Sequence, residues 1–118
     1  MRIHNVTRDT ELANSARAAR SYWPRLVGLL GRSSLKPGEA LLIEPCSSVH
    51  TFFMRFTIDV VYLDSSHRVV KAVSALRPFR MSMGGKGAHA VIELPSGTIA
   101  STQLAVGDEI AFEFATAA

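Results

Sequence analysis

The sequence predicts a mainly β fold, a two-sheet sandwich or flattened barrel with one substantial helix, and three observations lead there. Short runs rich in β-branched and aromatic residues recur between Pro, Gly, Asp and Ser turn signals from residue 40 to 114. Only residues 21–32 carry apolar side chains at sustained helical spacing. The run TIDVVYLD is largely apolar on both faces, as a strand covered from two sides must be. A chain of 118 residues is one domain by length, 1–118, and buries roughly two-thirds of its unfolded surface.

In order, RIHNVT and ELANSARAA (residues 2–7 and 11–19) flank a polar turn at Arg8–Thr10 and suggest an N-terminal hairpin within residues 1–20. The alanine-rich second arm also suits a helix; strand is the reading adopted. From Ser21 the spacing changes. Ser21 is a helix cap, Pro24 fits the first turn, and Gly31 or Ser33-Ser34 ends the segment. Trp23, Leu26, Val27 and Leu30 would face a core from this helix, while Arg25, Gly28, Leu29 and Arg32 would share the adjacent face.

LKPGE (35–39) is a Pro-Gly turn leading into the β core at 40–114. ALLIEP, HTFFM and TIDVVYLD are the first strands of that core. In the last, Ile58, Val60 and Tyr62 take one face and Thr57, Asp59, Val61 and Leu63 the other. Asp64 to His67 turns the chain into RVVKAVSALR. PFRMSMGGKG (78–87), with three glycines and two methionines, reads as the longest irregular loop. AHAVIELP, a helical turn at 98–104 and the strand EIAFEF are expected to complete the domain, with the terminal ATAA expected to fray.

Composition narrows the function classes. Hydrophobic residues at 47% and charged residues at 19% describe a globular chain. No apolar run nears the roughly 20 residues of a membrane span. The polar start MRIHNVTRDT lacks a signal-peptide pattern, so a cytoplasmic location is expected, although a trimmed secreted chain would read the same. Cys46 is the only cysteine, which forbids an internal disulfide. The net charge of +3 divides into +5 over residues 1–36 and −2 over 37–118. The cations are dispersed and no aromatic residues interleave with them, which argues against nucleic acid as a partner.

Chemistry concentrates between Cys46 and Asp64. Asp59 is a carboxylate on a doubly covered strand and therefore needs a partner. Arg25 or Arg32 of the helix supplies a structural clamp, the commoner fate; a general base or polar anchor in a pocket is the functional alternative. Cys46 and His50, four residues apart, have the composition of a thiolate–imidazole pair. Their competing reading is a small core residue beside a histidine bonded to backbone. As a metal site the pair needs ligands from His89, Asp108 or Glu93, so no metal and no cofactor are assigned. The GGKG run at 84–87 lacks the order of a phosphate-binding loop and is read as a flexible loop. Glu93 and Asp108 read as acids close to turns, either able to join Asp59 as a carboxylate pair.

The ordered blocks RLVGLLGR, EALLIEPC, VHTFFMRFTIDVVYLD, VIELPSG and GDEI resemble the ancient-conserved-region proteins of domain-of-unknown-function family one-hundred-and-ninety-two. The resemblance runs from about Arg25 to Ile110. Arg25, Gly28, Leu29, Arg32, Phe53, Met54, Ile58, Asp59, Leu94, Gly97, Gly107 and Asp108 stand on or beside its motif positions. Leu30, Ala40 and Phe53 depart from the common pattern, which has methionine, glycine and tryptophan there. The resemblance implies a sandwich-like fold of the jelly-roll kind and no established activity.

The leading expectation is a non-enzymatic module that binds a small ligand or a protein partner. Its cleft would be lined by His50, Met54 and Asp59, with Arg25 and Arg32 nearby, and bordered by the loop at 77–86. A hydrolase-like enzyme using Cys46 or His50 with Asp59 is the competing class. An oligomeric interaction protein with an apolar patch around Phe52, Phe79 and Met81 is the third.

Overall fold

The computed structural model describes residues 1–19, 34–51 and 54–114. Among these, ten strands and one short helix form a mainly β domain with no closed barrel. The strands are β1 (Arg2–Asn5), β2 (Thr10–Ala13), β3 (Ser15–Ala19), β4 (Glu39–Ile43), β5 (Ser48–His50), β6 (Ile58–Leu63), β7 (Val69–Leu76), β8 (Met81–Met83), β9 (Ala90–Pro95) and β10 (Ile110–Glu113), with helix α1 (Thr98–Thr102) between the last two.

A five-stranded sheet in the order β3-β4-β9-β6-β7 forms the middle of the molecule. Period-two alternation sends its side chains to two separate cores. Ala40, Leu42, Val61, Leu63, Ala90, Ile92 and Leu94 point to one side. There they meet Ile3, Leu12 and Ala13 of the three-stranded sheet β10-β1-β2, and Ile99 and Leu104. Leu41, Ile43, Ile58, Val60, Tyr62 and Val91 point to the other side, where Val49 of the two-stranded ribbon β5-β8 covers them. The two faces foreseen for TIDVVYLD are these two cores, and every residue of β6 is buried.

Several expectations need correction. The arm at 11–19 is neither one strand nor a helix. It breaks at Asn14, so that β2 pairs antiparallel with β1 while β3 pairs parallel with β4 in a different sheet. Small side chains make this possible: Ala16 and Ala19 are buried without crowding β4, and the amides of Asn14 and Ser15 both donate to the Gly38 carbonyl. Gly38 adopts φ 88°, a left-handed conformation that favours glycine, and a Cβ there, 2.6 Å from Asn14 Oδ1, would also push that side chain aside. Among the described residues of the strand expected at HTFFM, only His50 is in one, at the end of a strand that lies upstream at Ser48–His50, and Thr51 and Met54 stand outside it. The irregular loop at 78–87 contains β8, so the architecture has a third, two-stranded layer that the two-sheet expectation lacked. The helical turn expected at 98–104 is α1. The helix expected at 21–32, with Arg25 and Arg32, lies outside the described residues, as do Phe52 and Phe53.

Candidate functional site

Asp59 is completely buried, as its strand requires, and its charge is met by backbone. Oδ1 accepts from the Ala75 amide at 2.9 Å, and Oδ2 accepts from the amides of Gly97 at 3.1 Å and Ile99 at 2.9 Å. The local structure explains each bond. In the β6–β7 pairing, Ile58 faces Leu76 but Val60 faces Val73, so β7 carries an extra residue opposite Asp59. Ala75 sits in that bulge at φ 56°. Gly97 and Ile99 open α1, whose first amides have no intrahelical acceptor, and Gly97 has no side chain to cap them. One carboxylate therefore fastens a bulge and a helix start to the central strand. The arginine clamp falls outside the described residues, and the bonds described make Asp59 a backbone fastener.

Asp59 is also remote from Cys46. It pairs across the sheet with Leu94 and shares that residue's face, whereas Cys46 packs against the opposite core. The five-stranded sheet separates the two, so they cannot form one catalytic constellation. The Cys46 thiol, half-buried, donates to the Ser48 carbonyl at 3.0 Å rather than to His50. Met54, expected to line a cleft, is 5% exposed and fills the core beneath the ribbon. Asp108 is likewise no member of a carboxylate pair. It accepts from Asn5 Nδ2 at 2.9 Å, Arg8 Nε at 2.7 Å and the Ala105 amide at 2.9 Å, joining the N-terminal hairpin to the last turn. Burial acts to raise its pKa, but these hydrogen bonds outweigh it and hold the group below the ordinary carboxylate range. Among the described residues no group of three or more His, Cys, Asp or Glu side chains is placed to hold a metal ion.

The structure gathers its exposed chemistry on the β5–β8 ribbon. Thr51 fastens the segment before β8: its hydroxyl donates to the Arg77 carbonyl at 2.6 Å and accepts from the Arg80 amide at 2.8 Å. In the ribbon Ser48 faces Met83, Val49 faces Ser82 and His50 faces Met81. Val49 and Ser82 point inward, and the Tyr62 hydroxyl meets Ser82 Oγ at 2.9 Å. Ser48, His50, Met81 and Met83 consequently share the outward face. Met81 and Met83 are each 65% exposed and Phe79 is 59% exposed, which makes an exposed apolar ridge. Next to it lies an open depression of about 360 Å³ lined by Pro45, Cys46, Ser47, Ser48, Ala88 and His89. Gly84 permits the close packing behind the ridge; a Cβ there would fall 2.5 Å from Tyr62 Cδ1 and from Ala88 Cβ.

Sequence reasoning misplaced one further group. Glu93 is not a strand-end acid but the fourth residue of β9, between Leu41 and Val60 in register, on the face toward the ribbon core. It is 6% exposed, and burial alone pushes its pKa up to about 7. Burial likewise raises the Tyr62 phenol, partly opposed by the hydrogen bond with Ser82, and the nearby Cys46 and Glu93 charges add to the rise. The signal was alternation: in AVIELP, Glu93 shares parity with Val91, which faces a core.

The chain is similar to other proteins in sequence and to two solved structures in fold. A UPF0127 protein of Pyrococcus horikoshii is 36% identical over 114 residues, covering 92% of this chain and 96% of the relative. One of Pyrococcus furiosus is 34% identical over 112 residues, covering 90% and 93%. A protein of unknown function from Novosphingobium aromaticivorans superposes with a TM-score of 0.81 at 16% identity, over 94% of this chain and 82% of that one. A protein of Sinorhizobium meliloti, named as a candidate transcription regulator, does so with a TM-score of 0.81 at 18% identity, over 93% and 89%. The last two likenesses concern the fold alone. With its residues 4–112 matching the family's sequence profile, the chain belongs to the DUF192 family, described as Uncharacterized ACR.

Proposed function

We propose that this protein is a non-enzymatic binding module whose working face is the outward side of the β5–β8 ribbon. The observation that carries this reading is the ridge of Phe79, Met81 and Met83, held in solvent by a ribbon whose opposite side is locked to the core through Val49 and the Tyr62–Ser82 hydrogen bond. Solvated apolar side chains on a rigid element are the ordinary make-up of a contact surface, and methionine suits it because its flexible thioether adapts to varied partners. A hydrolase reading has less support, since Asp59 is saturated by three amides on the far side of the central sheet from Cys46.

Methyl-labelled methionine resonances test the face directly. Peptides, small ligands and detergent micelles are titrated while the methyls of Met81, Met83 and buried Met54 are followed. The reading predicts that binding moves Met81 and Met83 and leaves Met54 nearly still. Perturbations confined to Met54, or a probe that binds without moving either ridge methyl, would place the working face elsewhere. Self-association through the ridge is a second form of the same reading; it appears as a mass that rises with concentration and falls on Phe79→Ser.

A further inference from the structure

Resting on that reading of the ribbon, we infer that its partner is an anionic lipid surface, met by an apolar ridge set among cations. Residues 45–58 and 65–92, which contain the ribbon and its flanking loops, hold no Asp or Glu. Among their cations are Lys71, Arg77, Arg80 and Lys86, all exposed, the last three within three residues of the ridge in sequence. Two of these cations touch it. Lys71 Nζ donates to the Met83 carbonyl at 2.7 Å, and Arg80 Nη1 donates to the Phe79 carbonyl at 3.4 Å. Met81 and Met83 project from the same face of one strand, roughly 7 Å apart by strand geometry. Phe79 stands just before them.

A ridge of this kind enters the headgroup region side chain first, while the cations at its base reach lipid phosphates without leaving their places. Both contributions are needed. Apolar side chains alone would not select anionic lipid, and cations alone would leave the exposed Met81 and Met83 without a role. A peptide helix fits less well. It requires a groove with apolar walls, and the neighbouring depression is lined by Pro45, two serines, Cys46, Ala88 and His89. Each lysine or arginine brought to an anionic leaflet is worth about a five-fold change in partitioning.

Cosedimentation of the full chain with vesicles tests the inference, comparing phosphatidylcholine alone with phosphatidylcholine containing phosphatidylglycerol. The expected result is binding to the anionic vesicles only, weakened on raising salt from about 0.1 M to about 0.5 M as the Debye length contracts. Met81→Ser with Met83→Ser should lower binding at least ten-fold, and Arg80→Gln with Lys86→Gln by about twenty-fold, with thermal unfolding midpoints confirming that both variants fold. Equal binding to both vesicle types, no binding to either, or anionic binding untouched by the methionine substitutions overturns the inference. Capture of an acidic amphipathic peptide in place of vesicles also overturns it, yet leaves the ribbon as the working face. Still methionine methyls under every probe would instead remove the reading on which it rests.

Discussion

Replacing Glu93 with glutamine exchanges a buried ionisable group for a neutral one of the same shape. Glu93 lies 6% exposed between Leu41 and Val60, and its pKa rises from an ordinary 4.5 to about 7 through burial alone. A pKa higher in the folded state means that the folded protein binds this proton more tightly. The stabilisation is complete below pH 4.5 and is lost as the pH climbs through about 7. At 1.36 kcal/mol per tenfold change in proton affinity, that interval is worth about 3 kcal/mol. Little of it is screened, because solvent hardly reaches the group. Urea unfolding of both proteins at about pH 5 and about pH 8 measures the effect. The difference in stability between the Glu93→Gln variant and the parent should widen in favour of the variant by about 2 to 3 kcal/mol over that interval. Taking the difference between the two proteins cancels the histidines and the other carboxylates. Asp108 acts in a separate window with opposite sign: its lowered pKa stabilises above the ordinary carboxylate range and fails as the pH falls through it. An unchanged difference at the two pH values would refute the account of Glu93 as a charge shut in an apolar layer.

Three other substitutions probe the scaffold. Asp59→Asn sets an amide N–H against the amides of Ala75 or of Gly97 and Ile99, and should cost about 3 kcal/mol in chemical denaturation; a cost under about 1 kcal/mol would contradict the fastener role. Ala75→Gly relieves a left-handed conformation at φ 56° and should stabilise the protein by up to about 1 kcal/mol, a gain read as a higher unfolding midpoint. Gly84→Ala forces a Cβ against the Tyr62 ring and Ala88 and should destabilise by about 2 kcal/mol, with near-ultraviolet dichroism of Tyr62 reporting the displaced ring.

The strand run at Ile58–Leu63 was legible because a strand's side-chain period is two and every position on it is apolar apart from Asp59. The need of Asp59 for a partner was legible for the same reason, since an isolated charge inside a sheet is costly. The identity of the described partners was not, because backbone amides carry no letter in a sequence. A one-residue bulge brings Ala75 to Oδ1, and a five-residue helix brings Gly97 and Ile99 to Oδ2. Cys46 and His50 looked paired by proximity in sequence, yet the thiol turns to the Ser48 carbonyl and the imidazole rides outward on a ribbon. That ribbon escaped notice because MSM is three residues long and surrounded by glycine and arginine. It becomes a strand only when Ser48–His50 lies beside it.

What the chain determined by itself was therefore periodic: a mainly β fold, a central strand covered from both sides, and a carboxylate on it that could not stand alone. Alternation and burial cost are local consequences of side-chain order, so one sequence suffices to read them. Only the tertiary structure decided which groups satisfied Asp59, which side of the central sheet held Cys46 and Glu93, and that Phe79, Met81 and Met83 would face solvent together. Those outcomes depend on pairing between segments distant in the chain, where a shift of one residue sends every side chain to the opposite face.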